Sequence, residues 1–459
     1  MHIEQPRTVT VIGAGLAGCE VALQLSLRGH RVRLLEQKPQ VKNPVQCSDG
    51  FAELVCSNSL RAASTGNAVG LLKEEMRRLG SFVMRAADET QVPAGGALAV
   101  DRERFSGLLT RWVSEHPLIE VVPGVVCSLP EKRPLVVATG PLTGDALASA
   151  LEERLGSRSI AYYDAISPIV TAASVDFTQV FFASRWGKGE DDTSRCAYAN
   201  CPFDREQYGS FVEAVRTATV VGPNASEQPR YFEGCLPIEV LAARGPDTLA
   251  FGPMKPVGLV DPKTGRRPHA VVQLRPENTA CTAYSLVGFQ TRMTRSEQAR
   301  VLRMVPGLQE AGFERWGSVH RNTFIDAPRV LDGCLRLRTD LDVWFAGQVT
   351  GVEGYVESAA CGLVCALLLK DALDGRQPNL PPLTTAIGAL LGHTSRVRDG
   401  YQPSNVTFSM FEPLETTQRK QDKRARGQAY ARRGLDHLSS WWALHPSAPK
   451  QCLVGSVSK

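Results

Sequence analysis

The chain lacks several signatures that would have classified it at once. No Cys-x-x-Cys pair occurs among its 12 cysteines, and neither His-x-x-x-His nor His-Glu-x-x-His among its eight histidines. The first absence argues against a zinc ribbon and against a secreted disulfide scaffold, which would be shorter and denser in cysteine. Mostly free thiols in a reducing cytoplasm are expected, and no bound metal. No apolar run approaches the roughly 18 residues a membrane span needs. The longest candidate, Ala359 to Leu369, reads as a buried helix, so no membrane contact is expected. The opening MHIEQPR has no apolar core and no cleavage signature, so no signal peptide is expected. No repeat period and no second Gly-x-Gly-x-x-Gly are present.

What is present is a globular composition. Apolar residues make up 43% of the chain and charged residues 22%, which excludes disorder. A length of 459 residues fits two or three domains, or one large α/β unit with an insertion. The net charge of +5 is unevenly placed. From Ser395 onward 11 Lys and Arg face five acids, a balance of +6 that leaves −1 for everything before it. A basic tail on a near-neutral body points to a polyanionic partner, unless it is only a solvated helix face.

The N-terminus reads as a β-α-β unit. Residues 8–13 (TVTVIG) form an apolar, β-branched run ending in glycine. Residues 17–28 have helical spacing, with Val21, Leu25 and Leu27 as its apolar positions among small neighbours, and stop at Gly29; residues 31–36 (RVRLLE) read as a second strand. Helices are expected over 70–79 and 104–115, and strands around 119–127 and over 135–140. From about 160 to 320 short β-like runs alternate with Pro and Gly: YYDAISPIV, QVFFASRW, HAVVQL and AYSLVGF. After 343 the α/β pattern returns, with a strand at VWFAG and a helix over 353–373. Helix is expected again from 415 to 444.

Gly13-Ala14-Gly15-Leu16-Ala17-Gly18 sits between the first strand and the first helix. Gly13 permits the tight turn, Gly15 lets the backbone approach a pyrophosphate, and Gly18 lets helix pack on strand. Glu36 ends the second strand, where a carboxylate can accept hydrogen bonds from ribose hydroxyls. Ala138-Thr139-Gly140 closes a later strand like the short turn of FAD enzymes. Thr339 to Gln348 (TDLDVWFAGQ) is similar to their C-terminal fingerprint. Gly347, Gln348, Thr350 and Gly351 then lead to a second helix N-terminus, so the dinucleotide expected is FAD. The fold class that follows is α/β: a Rossmann-like FAD-binding domain (1–160 and 321–394), an inserted α+β domain (161–320) and a basic C-terminal helical tail (395–459).

Two cysteines stand in unusual company. Cys56 is followed by Ser-Asn-Ser and then Arg61, a poor core strand and a plausible reactive loop; Arg61 can lower a thiol pKa or hold a phosphate. Cys235 lies between Gly234 and Leu236-Pro237, beside Glu233 and Glu239. Cys361 and Cys365 share a helix face among Gly, Leu, Val and Ala and read as core.

Taken together, GAGLAGCE (13–20), FAELVCSNSLR (51–61), EGCLPIE (233–239), FGPMKPVGL (251–259), NTFIDAP (322–328), FAGQVTGVEGYVESAA (345–360) and YQPSNVTF (401–408) resemble the folate- and FAD-dependent tRNA (uracil-5-)-methyltransferase family. The resemblance covers most of the chain in the family's order. More distantly it extends to the larger flavoprotein that modifies the tRNA wobble uridine. Cys47 departs from the pattern, where a threonine or other polar residue is expected, and the tail beyond Leu414 lies outside it. The resemblance implies methylation of carbon 5 of a uridine in the tRNA T-loop, with carbon from 5,10-methylenetetrahydrofolate, hydride from reduced FAD, and NADH or NADPH as reductant. It implies Cys56 and Cys235 as the catalytic pair, one as nucleophile and one as base, in an order the residues leave open. Carbon 5 of uracil is a weak nucleophile until a thiolate adds at carbon 6, which is why such chemistry needs thiols. Asn58, Arg61, Lys255, Asn322 and Thr323 are further candidates for substrate contact. Arg275, Arg292 and Arg321 are candidates for folate glutamate or RNA phosphate. Tyr401, Phe408 and Phe411 are candidates for base stacking, against packing as the alternative. The same chemistry on a ribosomal RNA uridine is one alternative function. A flavin oxidoreductase of a small molecule is another, and it predicts turnover without RNA and indifference to Cys56→Ala. Oligomeric state is not legible.

Overall fold

The computed structural model describes residues 7–43, 45–156, 159–187, 197–221, 236–398, 400–415 and 422–445, with 159–166 and 319–321 as backbone only. β1 (Thr8–Ile12), α1 (Leu16–Leu27) and β2 (Arg31–Glu36) form the expected crossover, and β1 pairs parallel with β2, Val11 facing Leu34. They lie in a six-stranded sheet in the order 336–337, 340–345, 135–137, 8–12, 31–36, 119–123. All its neighbours are parallel except the edge hairpin of 336–337 with 340–345. Such a sheet must be covered on both faces, and its strands are accordingly continuous apolar runs. Val9, Val11, Leu135, Val136, Val137 and Phe345 are all buried.

α1 is buried all round except at Leu27, which is exposed although its spacing marked it as apolar-face. The reason is its second neighbour, the helix Tyr355–Leu373, which lies directly on it. A Cβ on Gly362 would stand 2.6 Å from the Ala17 carbonyl, so glycine sets that contact distance. The polar residues thus trapped are satisfied: Glu20 accepts from Gln24, Ser81, Phe82 and Val83.

The middle of the chain builds a second sheet, wholly antiparallel, in the order 181–182, 199–203, 270–276, 283–286, 169–171, 313–315. It has its own core around Phe203, Phe211, Val272 and Phe289. A two-stranded ribbon, Ser159–Ile166 with Ser318–Ile325, leads into and out of this part. A small third sheet (59–62, 97–100, 91–92) continues from the Cys56 segment and was not foreseen.

Of the helix expected over 415–444, Lys423 to Ala443 is helical and Glu415 is not; residues 416–421 lie outside the described set. Asp422 caps it by accepting from Arg424 and Ala425. It is docked against the body: Gly427 meets the Gly66 carbonyl, and Leu438 and Trp441 join the main core. Lys423, Arg424, Arg426 and Arg432 face solvent.

Candidate active site

Two cavities meet at the carboxyl ends of the parallel strands. One, about 330 Å³, runs past Glu36, Gly15 and Thr139. The other, about 310 Å³, contains Cys56. Val55, Pro141, Gln348 and Tyr355 line both.

The first has the donor set of a dinucleotide site. Gly13 makes the turn out of β1 with φ +96°, where a Cβ would stand 2.7 Å from the Ala138 carbonyl. Gly15 has ordinary dihedrals and nothing within 4 Å of where its Cβ would stand, so its backbone is open to the cavity. It caps α1 without any side-chain bond, which leaves the helix's first N–H groups for a phosphate. Glu36 is buried at the end of β2; its carboxylate accepts from the Ala14 N–H at 2.7 Å and the Lys38 N–H at 3.0 Å. It keeps lone pairs for ribose hydroxyls. Leu16, Ala17 and Gly140 also line this cavity, whereas Ala14 supports it from behind. Gly18 and Gly347 serve packing: a Cβ on Gly18 would strike the Gly13 carbonyl at 1.8 Å, and one on Gly347 would strike Ala17 at 2.7 Å. These residues fit a bound FAD.

The second cavity is built around a clamped loop. The hydroxyl of Tyr355, first residue of its helix, accepts from the N–H of Cys56 at 2.6 Å and of Ser57 at 3.2 Å. Burial, and then the nearby Cys56, push the Tyr355 phenol far above its ordinary pKa, so it stays protonated. From the inserted sheet, Arg275 donates to Asn58 Oδ1 at 2.8 Å and Ser57 Oγ at 2.6 Å. From the helix Arg102–Ser114, Arg102 donates to the Leu54 carbonyl and pairs with Glu277 at 2.6 Å. Burial lowers the Arg102 pKa, but Glu277 and its neighbours outweigh that and hold it raised. Cys56 itself remains partly accessible in this frame.

Several expected residues take other places. Asn58 is fully buried, its amide nitrogen donating to the carbonyls of Val100, Pro276 and Glu277 and its oxygen accepting from Arg275; it locks the loop and presents nothing to a substrate. Arg275 holds that lock and also lines the Cys56 cavity. Lys255 is exposed and lines neither cavity. Thr323 uses its N–H to bond the Pro141 carbonyl at 2.9 Å and also lines neither cavity. Thr350 is buried, its hydroxyl donating to the Gly347 carbonyl at 2.8 Å, and Gly351 (φ +85°) packs on the Tyr401 ring; both support the Gln348 turn from below. Tyr401 and Phe411 are core residues, and Phe408 stacks on Tyr430, so packing wins over base stacking. Arg61, by contrast, does line the Cys56 cavity, ion-paired with Glu357, as does Asn322. Cys361 and Cys365 are buried. Among the described residues no group of three or more His, Cys, Asp or Glu is placed to hold a metal, and no helix is long and apolar enough to cross a membrane.

Cys235 lies outside the described residues, as does the side chain of Arg321. The chain just beyond Cys235 is anchored at this site: Ile238 N–H donates to the carbonyl of Gln290, which lines the Cys56 cavity. Glu239 accepts from Thr291 at 3.0 Å and Arg292 N–H at 2.9 Å, burial raising its pKa. Tyr355, Arg102 and Glu277 were missed from sequence. Tyr355 stood within a matched segment; the other two carried no local signal.

Comparison with known proteins agrees with this geometry. A sequence model of the family described as Glucose inhibited division protein A matches residues 8–377. Methylenetetrahydrofolate--tRNA-(uracil-5-)-methyltransferase TrmFO of Syntrophotalea carbinolica is 53% identical over 441 residues, covering 96% of this chain and 94% of that protein. The protein of the same name from Geobacter sulfurreducens is 54% identical over 436 residues, covering 95% and 99%. Among solved structures, Aquifex aeolicus GidA shares the fold with a TM-score of 0.68 at 15% identity, over 98% of this chain and 75% of that one. The chain therefore belongs to the methylenetetrahydrofolate–tRNA-(uracil-5-)-methyltransferase family, within the broader glucose inhibited division protein A family.

Proposed function

We propose that this chain is a cytoplasmic enzyme that methylates carbon 5 of the tRNA T-loop uridine, taking the carbon from 5,10-methylenetetrahydrofolate and using FAD, with NADH or NADPH as reductant. The observation that carries the reading is a partly accessible cysteine, Cys56, in a cavity that shares a wall with a dinucleotide cleft. When bound, the flavin carries the transferred carbon and supplies the hydride that completes the methyl group. Gly15 and the N-terminus of α1 would hold its pyrophosphate, Glu36 its ribose, and Gln348 with the N-terminus of the helix Tyr355–Leu373 its isoalloxazine end.

The protein's own groups handle the uracil. One thiolate of the pair Cys56 and Cys235 adds to carbon 6, which places electron density on carbon 5 for attack on the one-carbon unit. The other removes the carbon 5 proton, and elimination of the first thiolate restores the ring. Tyr355, Arg275 and Asn58 fix the Cys56 backbone, so the sulfur meets the ring from one direction. Arg61, partly exposed at the cavity and balanced by Glu357, is placed to meet a phosphate of the extruded nucleotide. The solvent-facing arginines of the C-terminal helix supply a salt-dependent share of the affinity.

The test is reaction of purified protein with methylenetetrahydrofolate, NADPH or NADH, and an unmodified tRNA transcript, with 5-methyluridine read by nucleoside mass spectrometry. Wild type is expected to form product. Cys56→Ala and Cys235→Ala are expected to form none while retaining flavin. Product formation in Cys56→Ala, or turnover that needs no RNA, refutes the proposal.

A further inference from the structure

We infer that Asn322 reads the imide edge of the target uracil. This rests on the reading above, that a uracil enters the cavity containing Cys56. Asn322 is 1% exposed and lines that cavity, and among the described residues neither its amide oxygen nor its amide nitrogen has a hydrogen-bond partner. The other two buried asparagines among the described residues behave differently. Asn58 is saturated by three carbonyls and Arg275, and Asn200 by three carbonyls and the Gln273 amide. This fold satisfies its buried amides elsewhere, so an unsatisfied one on a cavity wall points to a partner that arrives from outside.

The backbone under Asn322 holds it still. It is paired with Tyr162 in the antiparallel ribbon, and the next residue donates its N–H to Pro141, which lines both cavities. An amide presents one donor and one acceptor side by side. The uracil edge opposite carbons 5 and 6 presents N3–H and a flanking carbonyl, which is the complementary pair. Amide side chains pair with base edges in this two-bond manner. Asn322 lines the cavity that contains Cys56, the thiol that meets the base, and not the cleft along Gly15 and Glu36.

The experiment compares wild type, Asn322→Leu and, should leucine not fit, Asn322→Ala as FAD-loaded proteins. Four quantities are read: melting temperature, flavin content, KM for methylenetetrahydrofolate, and kcat/KM for unmodified tRNA transcript. Removing an unpaired amide is expected to leave the melting temperature unchanged or raise it, with flavin content and folate KM unmoved. kcat/KM for tRNA is expected to fall roughly ten- to hundredfold, the worth of one paired base edge. A lower melting temperature in proportion to lost activity overturns the inference in favour of a structural amide. Loss of flavin, or a shifted folate KM with tRNA kinetics intact, overturns it in favour of the isoalloxazine or the pterin. A wild type that forms no 5-methyluridine refutes the proposed function and this inference together; an active wild type matched by an unchanged leucine variant refutes this inference alone.

Discussion

Gly15 and Gly18 belong to the same six-residue string, yet the structure gives alanine opposite consequences at the two. At Gly15 the dihedrals are φ −74° and ψ −171°, and nothing lies within 4 Å of the added Cβ. Gly15→Ala is therefore expected to leave the ligand-free protein as stable as wild type, or more stable by about 0.4–1 kcal/mol through the unfolded chain. The new methyl projects toward the cavity that the pyrophosphate would cross, so FAD affinity should fall at least ~10-fold, about 1.4 kcal/mol. At Gly18 the added Cβ stands 1.8 Å from the Gly13 carbonyl, and both partners are backbone. Helix propensity favours alanine there by about 1 kcal/mol. Overpacking of this kind costs about 1–3 kcal/mol, and this contact belongs at or beyond the upper end because neither atom can rotate away. A net loss of about 2 kcal/mol, a few degrees of melting temperature, follows. Scanning calorimetry on flavin-stripped protein and titration with FAD separate the two outcomes. A Gly18→Ala protein as stable as wild type, or a Gly15→Ala protein that binds FAD normally, refutes this account of how the loop meets its ligand.

Three further predictions follow from the site and its supports. Tyr355→Phe leaves the N–H groups of Cys56 and Ser57 without their shared acceptor; kcat should fall by about 1–3 kcal/mol equivalent with flavin content retained, and unchanged single-turnover rates contradict the clamp. His393 is held neutral, accepting from Arg398 at 2.6 Å, and burial and then the Arg398 charge lower its pKa from 6.5 to about 4. The unfolded chain binds a proton there between those two pH values and the native state does not, so stability is intact above pH 6.5 and is lost as pH falls toward 4, by about 3 kcal/mol at most. Urea denaturation at pH 7.5 and 4.5 should show a smaller acid loss in His393→Leu than in wild type; an equal loss contradicts this. Replacing Arg424, Arg426 and Arg432 together by Glu should weaken tRNA binding and reduce the salt slope by roughly 0.7–0.9 per phosphate contact removed, with flavin content untouched because all three face solvent. Truncating the helix is a poorer test, since Leu438 and Trp441 belong to the core.

The opening crossover was legible because every level of the sequence agreed there: a β-branched run, a glycine string, a helical stretch and an acid at the end of the second strand. The Cys56 segment was only partly legible: a thiol followed by three turn-formers reads as a poor strand and a poor core, yet Asn58 is buried and Ser59 opens a short strand. The misreadings share one cause. Asn58 and Arg275 are polar residues near Cys56, 217 positions apart, and only the fold shows that they are each other's partners. Tyr401 and Phe411 sit near a basic tail, but Tyr401 is enclosed by Gly351, Phe324 and His393, and Phe411 packs on Phe408 and on Tyr430 of the C-terminal helix. Leu27 carried the helical spacing of a core residue and ended in solvent, since α1 is buried by two neighbours whose approach no local period encodes.

The sequence by itself determined the parallel β-α-β unit and the dinucleotide cleft, because each depends on residues a few positions apart and on steric rules that act locally; the candidate thiols came from the family resemblance. Tertiary structure alone decided what surrounds Cys56. Tyr355 arrives from a helix 299 residues later, Arg275 from the inserted sheet and Arg102 from a third element. Hydrogen bonds and packing contacts are made by whatever the folded chain brings within reach. A site assembled from such long-range partners has no pattern along the sequence from which it can be read.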